Sequence, residues 1–274
     1  MIENLSTAEI LRWQLEAGVD ETIGNEPINH FNEVAPVKAP IVAVKTESSA
    51  PKARSQAVAD RPRTQQGPAV AEKLLHDACE IAAAAKSVDE LKRALADYDG
   101  CALKKTATNL VFGDGNPRAK VVLIGEGPGA EEDRMGLPFV GPSGQLLDKM
   151  LASIGLDREQ VYISNTVFWR PPGNRTPTTA ETALCLPFVE RLMELIDPEI
   201  LITLGGPATK AMLAETAGVG RLRGKWFTYS TPKLSRPVQA TAMFHPAYLL
   251  RSPAHKREAW RDLLMIRDKL DELT

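Results

Sequence analysis

Glu126, Phe139, Asn165 and His245 are the side chains that could jointly do chemistry on a small ligand. A phenyl face stacks, an amide both donates and accepts, an imidazole can donate to a carbonyl, and a carboxylate can orient water. Together they suit a flat heterocycle with amide-like edges. Taken singly, each has an ordinary structural use. Their joint position, at or just beyond the ends of predicted strands, is what raises the functional reading. Val121 to Ile124 form an unbroken apolar run, as in a strand buried on both faces of a parallel sheet. Gly125, Gly127 and Gly129 follow at alternate positions and let the backbone turn and approach a ligand closely. Asn165 ends a strand over Val161 to Ser164, and His245 follows one over Gln239 to Phe244.

The three glycines also admit a dinucleotide-binding turn. Glu126, Glu131, Glu132 and Asp133 make the loop acidic, which would repel a pyrophosphate. No helix is expected directly at Gly129, since Gly136, Pro138, Gly141 and Pro142 keep the chain irregular until Ser143. The following strand ends in Asn165 rather than in an acidic ribose ligand. The cofactor reading therefore ranks below the heterocycle pocket.

The elements that must position these residues alternate between strand and helix. Before the central loop, a helix from near Val70 carries Leu74, Leu75, Ala78 and Ile81, and a second opens at the capping box Ser87-x-x-Glu90. A short strand is expected over Asn109 to Phe112, then a turn at Gly113 to Pro117. Beyond it, Ser143 is expected to cap a helix ending by Gly155, and Thr178-x-x-Glu181 opens one running to about Ile196. Ile200 to Leu204 is a further parallel strand ending at Gly205-Gly206, with Pro207 at the first position of the next helix. Ser252-Pro253 is expected to start the last helix. This pattern predicts a three-layer α/β/α domain around a four-stranded parallel sheet over residues 70–274. Ahead of it, residues 1–24 read as a helical segment opened by Ser6-x-x-Glu9. Residues 25–69 read as a Pro- and Ala-rich disordered linker. Docking of the first helix on a protein partner and its packing on the main domain both stay open.

A chain of 274 residues, 43% of them hydrophobic, can bury a sizeable core. A net charge of -2 does not announce a nucleic-acid partner, but beyond Gly205 Lys and Arg outnumber Asp and Glu by about two to one, compatible with one basic face. Cys79, Cys101 and Cys185 are too widely spaced for a disulfide framework or a metal knuckle. With no signal-peptide pattern and no apolar run long enough for a bilayer, the expectation is a cytoplasmic protein, monomeric by default.

Three stretches carry a resemblance: Gly125 to Leu147, Asn165 to Arg175 with its Arg-Pro-Pro-Gly-Asn-Arg run, and His245-Pro-Ala-Tyr-Leu-Leu-Arg251. Together they resemble the family 4 uracil-DNA glycosylases over about Asp99 to Leu270. The resemblance implies excision of uracil from double- or single-stranded DNA, leaving an abasic site. It assigns Phe139 to stacking on the flipped base, Asn165 to its N3 and O4 edge, and His245 to its O2. Glu126 then belongs to the turn, with Gly125 and Gly127, that holds the hydrolytic water, and Glu132 and Asp133 are the other carboxylates in reach of that task. Ser143 and Gly144 at a helix amino terminus, with Arg170, Arg175 and Arg251, are the expected phosphate contacts. Leu249 and Leu250 are expected in a loop that could wedge into the space left by the base. A silent uracil- or DNA-binding module is the alternative function.

Two departures from the family matter. Most members hold a four-iron, four-sulfur cluster on four cysteines; Cys101 and Cys185 match two of these places, but Lys104 and Trp169 occupy the others. Such a cluster needs four thiolates, so no cofactor is expected. Trp169 is expected to fill the vacated volume and Lys104 to point toward solvent or DNA. Nothing between Gly144 and Gly155 resembles the basic insertion of the covalent-trapping relatives, so turnover is expected.

Overall fold

A computed structural model describes residues 68–273, so the readings made for the amino-terminal helix and most of the linker lie outside the described residues. Among the described residues, six strands form one sheet: β1 (Asp114–Gly115), β2 (Val121–Gly125), β3 (Val161–Asn165), β4 (Ile200–Leu204), β5 (Trp226–Tyr229) and β6 (Val238–Met243). Their order is β1-β3-β2-β4-β6-β5. The inner four are parallel, in agreement with the expected sheet, and the two edges are antiparallel additions. The expected four-stranded sheet is thus corrected to a six-stranded mixed one. Both edge strands are short and partly exposed, so neither shows the apolar run that marks a buried strand. The strand expected over Asn109 to Phe112 does not form. Val111 donates its N–H to the Phe168 carbonyl, Phe112 stacks on Phe168, and the ladder begins two residues later at Asp114.

Side chains along each inner strand alternate between two cores, because successive residues point to opposite faces. Val122, Ile124, Tyr162, Leu201 and Ala240 face one side. There lie α1 (Pro68–Ala84), α2 (Val88–Asp97) and α5 (Thr179–Ile196). Val121, Leu123, Ile163 and Ile202 face the other. There lie α4 (Pro142–Ala152) and α9 (Lys256–Leu273). The predicted caps at Ser87 and Thr178 are present, each accepting from the amide three residues on.

Helix starts account for most other differences. A six-residue helix, α3 (Ala130–Met135), does begin at Gly129, where irregular chain was expected. The Glu132 carboxylate returns to the Gly129 N–H and closes that turn in spite of the flanking glycines and prolines. The cap of α4 is Gly141, not Ser143, which lies in the first turn. Pro207 is the second residue of α6 (Gly206–Leu213), not its first. A short α7 (Val219–Leu222) precedes β5. The segment after His245 is a helix, α8 (Pro246–Arg251), rather than a loop. Pro253 to His255 make one 3-10 turn before α9 starts at Lys256.

Candidate active site

The carboxyl ends of β2, β3, β4 and β6 open into one cleft of about 890 Å³. Glu126, Phe139, Asn165 and His245 all line it. Parallel strands in register put these ends side by side: Gly125 pairs with Asn165, and Leu204 with Met243, two residues before His245.

Gly125 explains how two of the four meet. A Cβ there would lie 2.5 Å from Asn165 Oδ1 and 2.7 Å from Phe139 Cζ. Only a residue without a side chain lets the amide and the phenyl ring converge over the strand end. Asn165 is 1% exposed, and its Oδ1 has no hydrogen-bond partner among the described residues. A buried carbonyl oxygen without a donor is costly, so this atom is set for something that enters the cleft.

The Phe139 and His245 rings stack with centroids 5.5 Å apart and 28° between planes. His245 Nδ1 accepts the Ala247 N–H at 3.1 Å, so in the neutral ring the proton is on Nε2. Burial is the main cause that lowers the His245 pKa to about 4; the Arg251 charge adds to it, and Glu132 opposes it. The ring is neutral at physiological pH and offers a donor.

The carboxylates separate by use. Glu132 Oε1 accepts from Val140 and Gly141 N–H at 3.0 and 2.9 Å, and Oε2 from Gly129 at 3.1 Å. Asp133 Oδ1 accepts from Thr108 and Asn109 N–H at 2.8 and 3.1 Å. Both are buried braces for the loop. Glu126 and Glu132 both line the cleft; Glu132 is engaged by backbone amides, and Glu126 is the more exposed of the two.

The expected backbone contacts divide in the same way. Ser143 and Arg251 line the cleft. Gly144 is buried and its N–H bonds Gly141 O; its place is beneath the Phe139 backbone. Arg175 lines the cleft but pairs with both oxygens of Glu181, at 2.8 and 2.7 Å. Arg170 is held by Asn174 and does not line it. Leu249 is 1% exposed and belongs to the core, whereas Leu250 on the same helix is 42% exposed. Gly205, Gly206, Tyr248 and His255 also line the cleft and were not singled out from the sequence. The Gly205-Gly206 pair at the end of β4 was the available signal.

Away from the cleft, Cys101 and Cys185 are wholly buried, with sulfurs 4.0 Å apart. Trp169 is 2% exposed in the same core. Lys104 differs from expectation: its Nζ turns back to the Ala96 and Tyr98 carbonyls at 2.6 and 3.2 Å and to Asp99 at 2.6 Å, capping the end of α2. Among the described residues, no group of three or more His, Cys, Asp or Glu could hold a metal ion. No helix among them is long and apolar enough to cross a membrane.

The family model for the uracil DNA glycosylase superfamily matches residues 112–264, which contain every cleft residue named above. A type-4 uracil-DNA glycosylase of Archaeoglobus fulgidus is 40% identical over 185 residues, covering 66% of this chain and 92% of that protein. One from Thermotoga maritima is 40% identical over 157 residues, covering 57% of this chain and 79% of that protein. A type-5 enzyme of Thermus thermophilus is 33% identical over only 119 residues, covering 38% and 54%. With the sheet, the cleft and these likenesses in agreement, the chain belongs to the uracil-DNA glycosylase superfamily and, within it, to the type-4 family.

Proposed function

We propose that this protein removes uracil from DNA, hydrolysing the N-glycosidic bond of deoxyuridine and leaving an abasic site as the first step of base excision repair. The orphaned Asn165 Oδ1 carries the reading: it is a buried acceptor beside an aromatic face, where the N3–H of a stacked uracil would supply the donor.

A base within a duplex cannot reach this cleft, so the nucleotide must rotate out of the stack. Phe139 stacks on the extruded ring. Asn165 accepts from N3–H and donates to O4; cytosine offers the opposite pattern and would leave both groups unpaired. As the C1′–N1 bond breaks, its electron pair passes to the base, and negative charge gathers at O2 while the sugar becomes cationic. His245 Nε2–H meets that oxygen, and the bond strengthens only as charge develops, worth on the order of 3 kcal/mol. Glu126 orients the water whose oxygen bonds to C1′ and offsets the sugar's charge; the proton the water gives up passes to the Glu126 carboxylate and ultimately neutralises the released uracil anion. Ser143, Arg251 and, after exchange from Glu181, Arg175 hold phosphates. Leu250, rather than the buried Leu249, occupies the gap in the stack.

The chain is also read as a type-4 subgroup without the iron-sulfur cluster. Lys104 and Trp169 supply no thiolate, Lys104 is engaged as a helix cap, and the Trp169 indole lies in the core that also holds Cys101 and Cys185. A four-thiolate cluster does not fit these residues.

Incubation with a uracil-containing oligonucleotide followed by hot alkali tests the activity. Strand breaks that disappear in His245→Ala and Asn165→Ala are expected. Tight binding of the oligonucleotide by the wild type without breaks would favour a silent module.

A further inference from the structure

Phe139 is a non-glycine residue with a positive φ of 53°. Side chains avoid this region, and it persists only where the surroundings over-determine it. Its determinants are visible. Arg158 Nη1 donates to the Pro138 carbonyl at 3.2 Å, and its Nη2 donates to the Phe139 carbonyl. These carbonyls belong to the two peptide planes that flank Phe139. One guanidinium therefore holds the planes whose rotations are φ and ψ of that residue, and so the direction of its Cα–Cβ bond. From the other side, Glu132 accepts the Val140 N–H of the second plane. A Cβ at Gly144 would lie 1.7 Å from the Phe139 carbonyl oxygen, so α4 can pack against this peptide only through glycine.

Arg158 does not line the cleft. Its own orientation is set by Asp114 on β1 and Asp148 on α4, each at 2.8 Å. A planar fork with several fixed donors can serve two carbonyls and two carboxylates together, which an ammonium cannot do with the same geometry.

We propose that Arg158 is a positioning residue for uracil recognition. It acts through the Phe139 backbone to set the height and tilt of the ring on which the base stacks, and this rests on the reading of Phe139 as the stacking face. The rival is a bland one, in which Arg158 only ties β1 to α4.

A double-mutant cycle separates them, with free uracil as the probe, read as inhibition of cleavage, and a uracil-free duplex as the control for DNA binding. Arg158→Gln is expected to weaken inhibition by free uracil about tenfold, leave binding of the uracil-free duplex unchanged, and add nothing in a Phe139→Ala background. If Arg158→Gln melts below the assay temperature, Arg158→Lys, which keeps a cation between Asp114 and Asp148, passes through the same cycle. Losses that add in the double variant, or equal weakening of the uracil-free duplex, would overturn the proposal. Phe139→Ala with undiminished inhibition by uracil would instead remove the stacking reading, and the proposal with it.

Discussion

The backbone N–H of Ala247 donates to Nδ1 of His245 across 3.1 Å, and this contact decides which ring nitrogen carries the proton. With the pKa lowered to about 4 by burial, the donor at Nε2 is neutral throughout the physiological range. An imidazolium would also donate, but it would lose the Ala247 bond and place a charge on a buried ring beside Arg251.

The pH dependence of His245 follows in sign. Above its ordinary value of about 6.5 the ring is neutral in both folded and unfolded chains. Below that, the unfolded chain takes up a proton that the folded one refuses until about pH 4, so stability falls across this window as pH drops. Urea midpoints measured between pH 7 and about pH 4 should fall more steeply for wild type than for His245→Gln. The kcat of wild type should show no acid limb near pH 6.5 that vanishes in this variant, while the variant itself loses about 100-fold or more at pH 7.5.

Two substitutions around Asn165 should separate activity from stability. Asn165→Ala removes an acceptor that has no partner among the described residues, so its melting temperature is expected not to fall, while kcat/KM for uracil drops at least about tenfold. Gly125→Ala places a methyl between Asn165 and Phe139. A displacement of the stacked base on the order of 1 Å is enough for about a 100-fold loss, and single-turnover rates would measure it.

Glu126→Gln and Glu132→Gln should behave as opposites. The first is expected to lower the single-turnover rate with the melting temperature unchanged. The second weakens three bonds from backbone amides to one buried carboxylate, at a cost of about 2–3 kcal/mol, and its thermal midpoint should fall accordingly. Equal rate losses with equal melting temperatures would contradict this division.

The Trp169 region predicts a colourless protein. Purified without oxygen, it should carry iron well below one equivalent and lack a broad band near the blue end of the visible spectrum. Trp169→Ala, by emptying a core position, should cost about 3–5 kcal/mol in a denaturant titration.

Much of the scaffold was legible in the residues. Val121 to Gly125 and Ile200 to Leu204 are buried at every position, and a local apolar run is enough to say so. The caps at Ser87 and Thr178 are equally local, since donor and acceptor lie three residues apart. The candidate residues Glu126, Asn165 and His245 could be named because parallel strands deliver their ends to one edge, whereas Phe139 lies beyond α3 and reaches the cleft through contacts with Arg158 and Glu132.

Tertiary structure decided what depends on groups far apart in the chain. The edge strand at Asp114 exists through its partners at Tyr162 and Ile163, and the one at Trp226 through Thr241. Glu132 and Asp133 look like free acids in an acidic loop until amides from Gly141, and from Thr108 25 residues earlier, arrive at their oxygens. Leu249 and Leu250 are the same residue type, yet the roughly 100° between successive helix positions sends the first into the core and the second to solvent. Residue type and near-neighbour spacing settle which atoms are available for chemistry. Long-range hydrogen bonds and burial settle which of those atoms remain free to do it, because both depend on where the rest of the chain comes to lie.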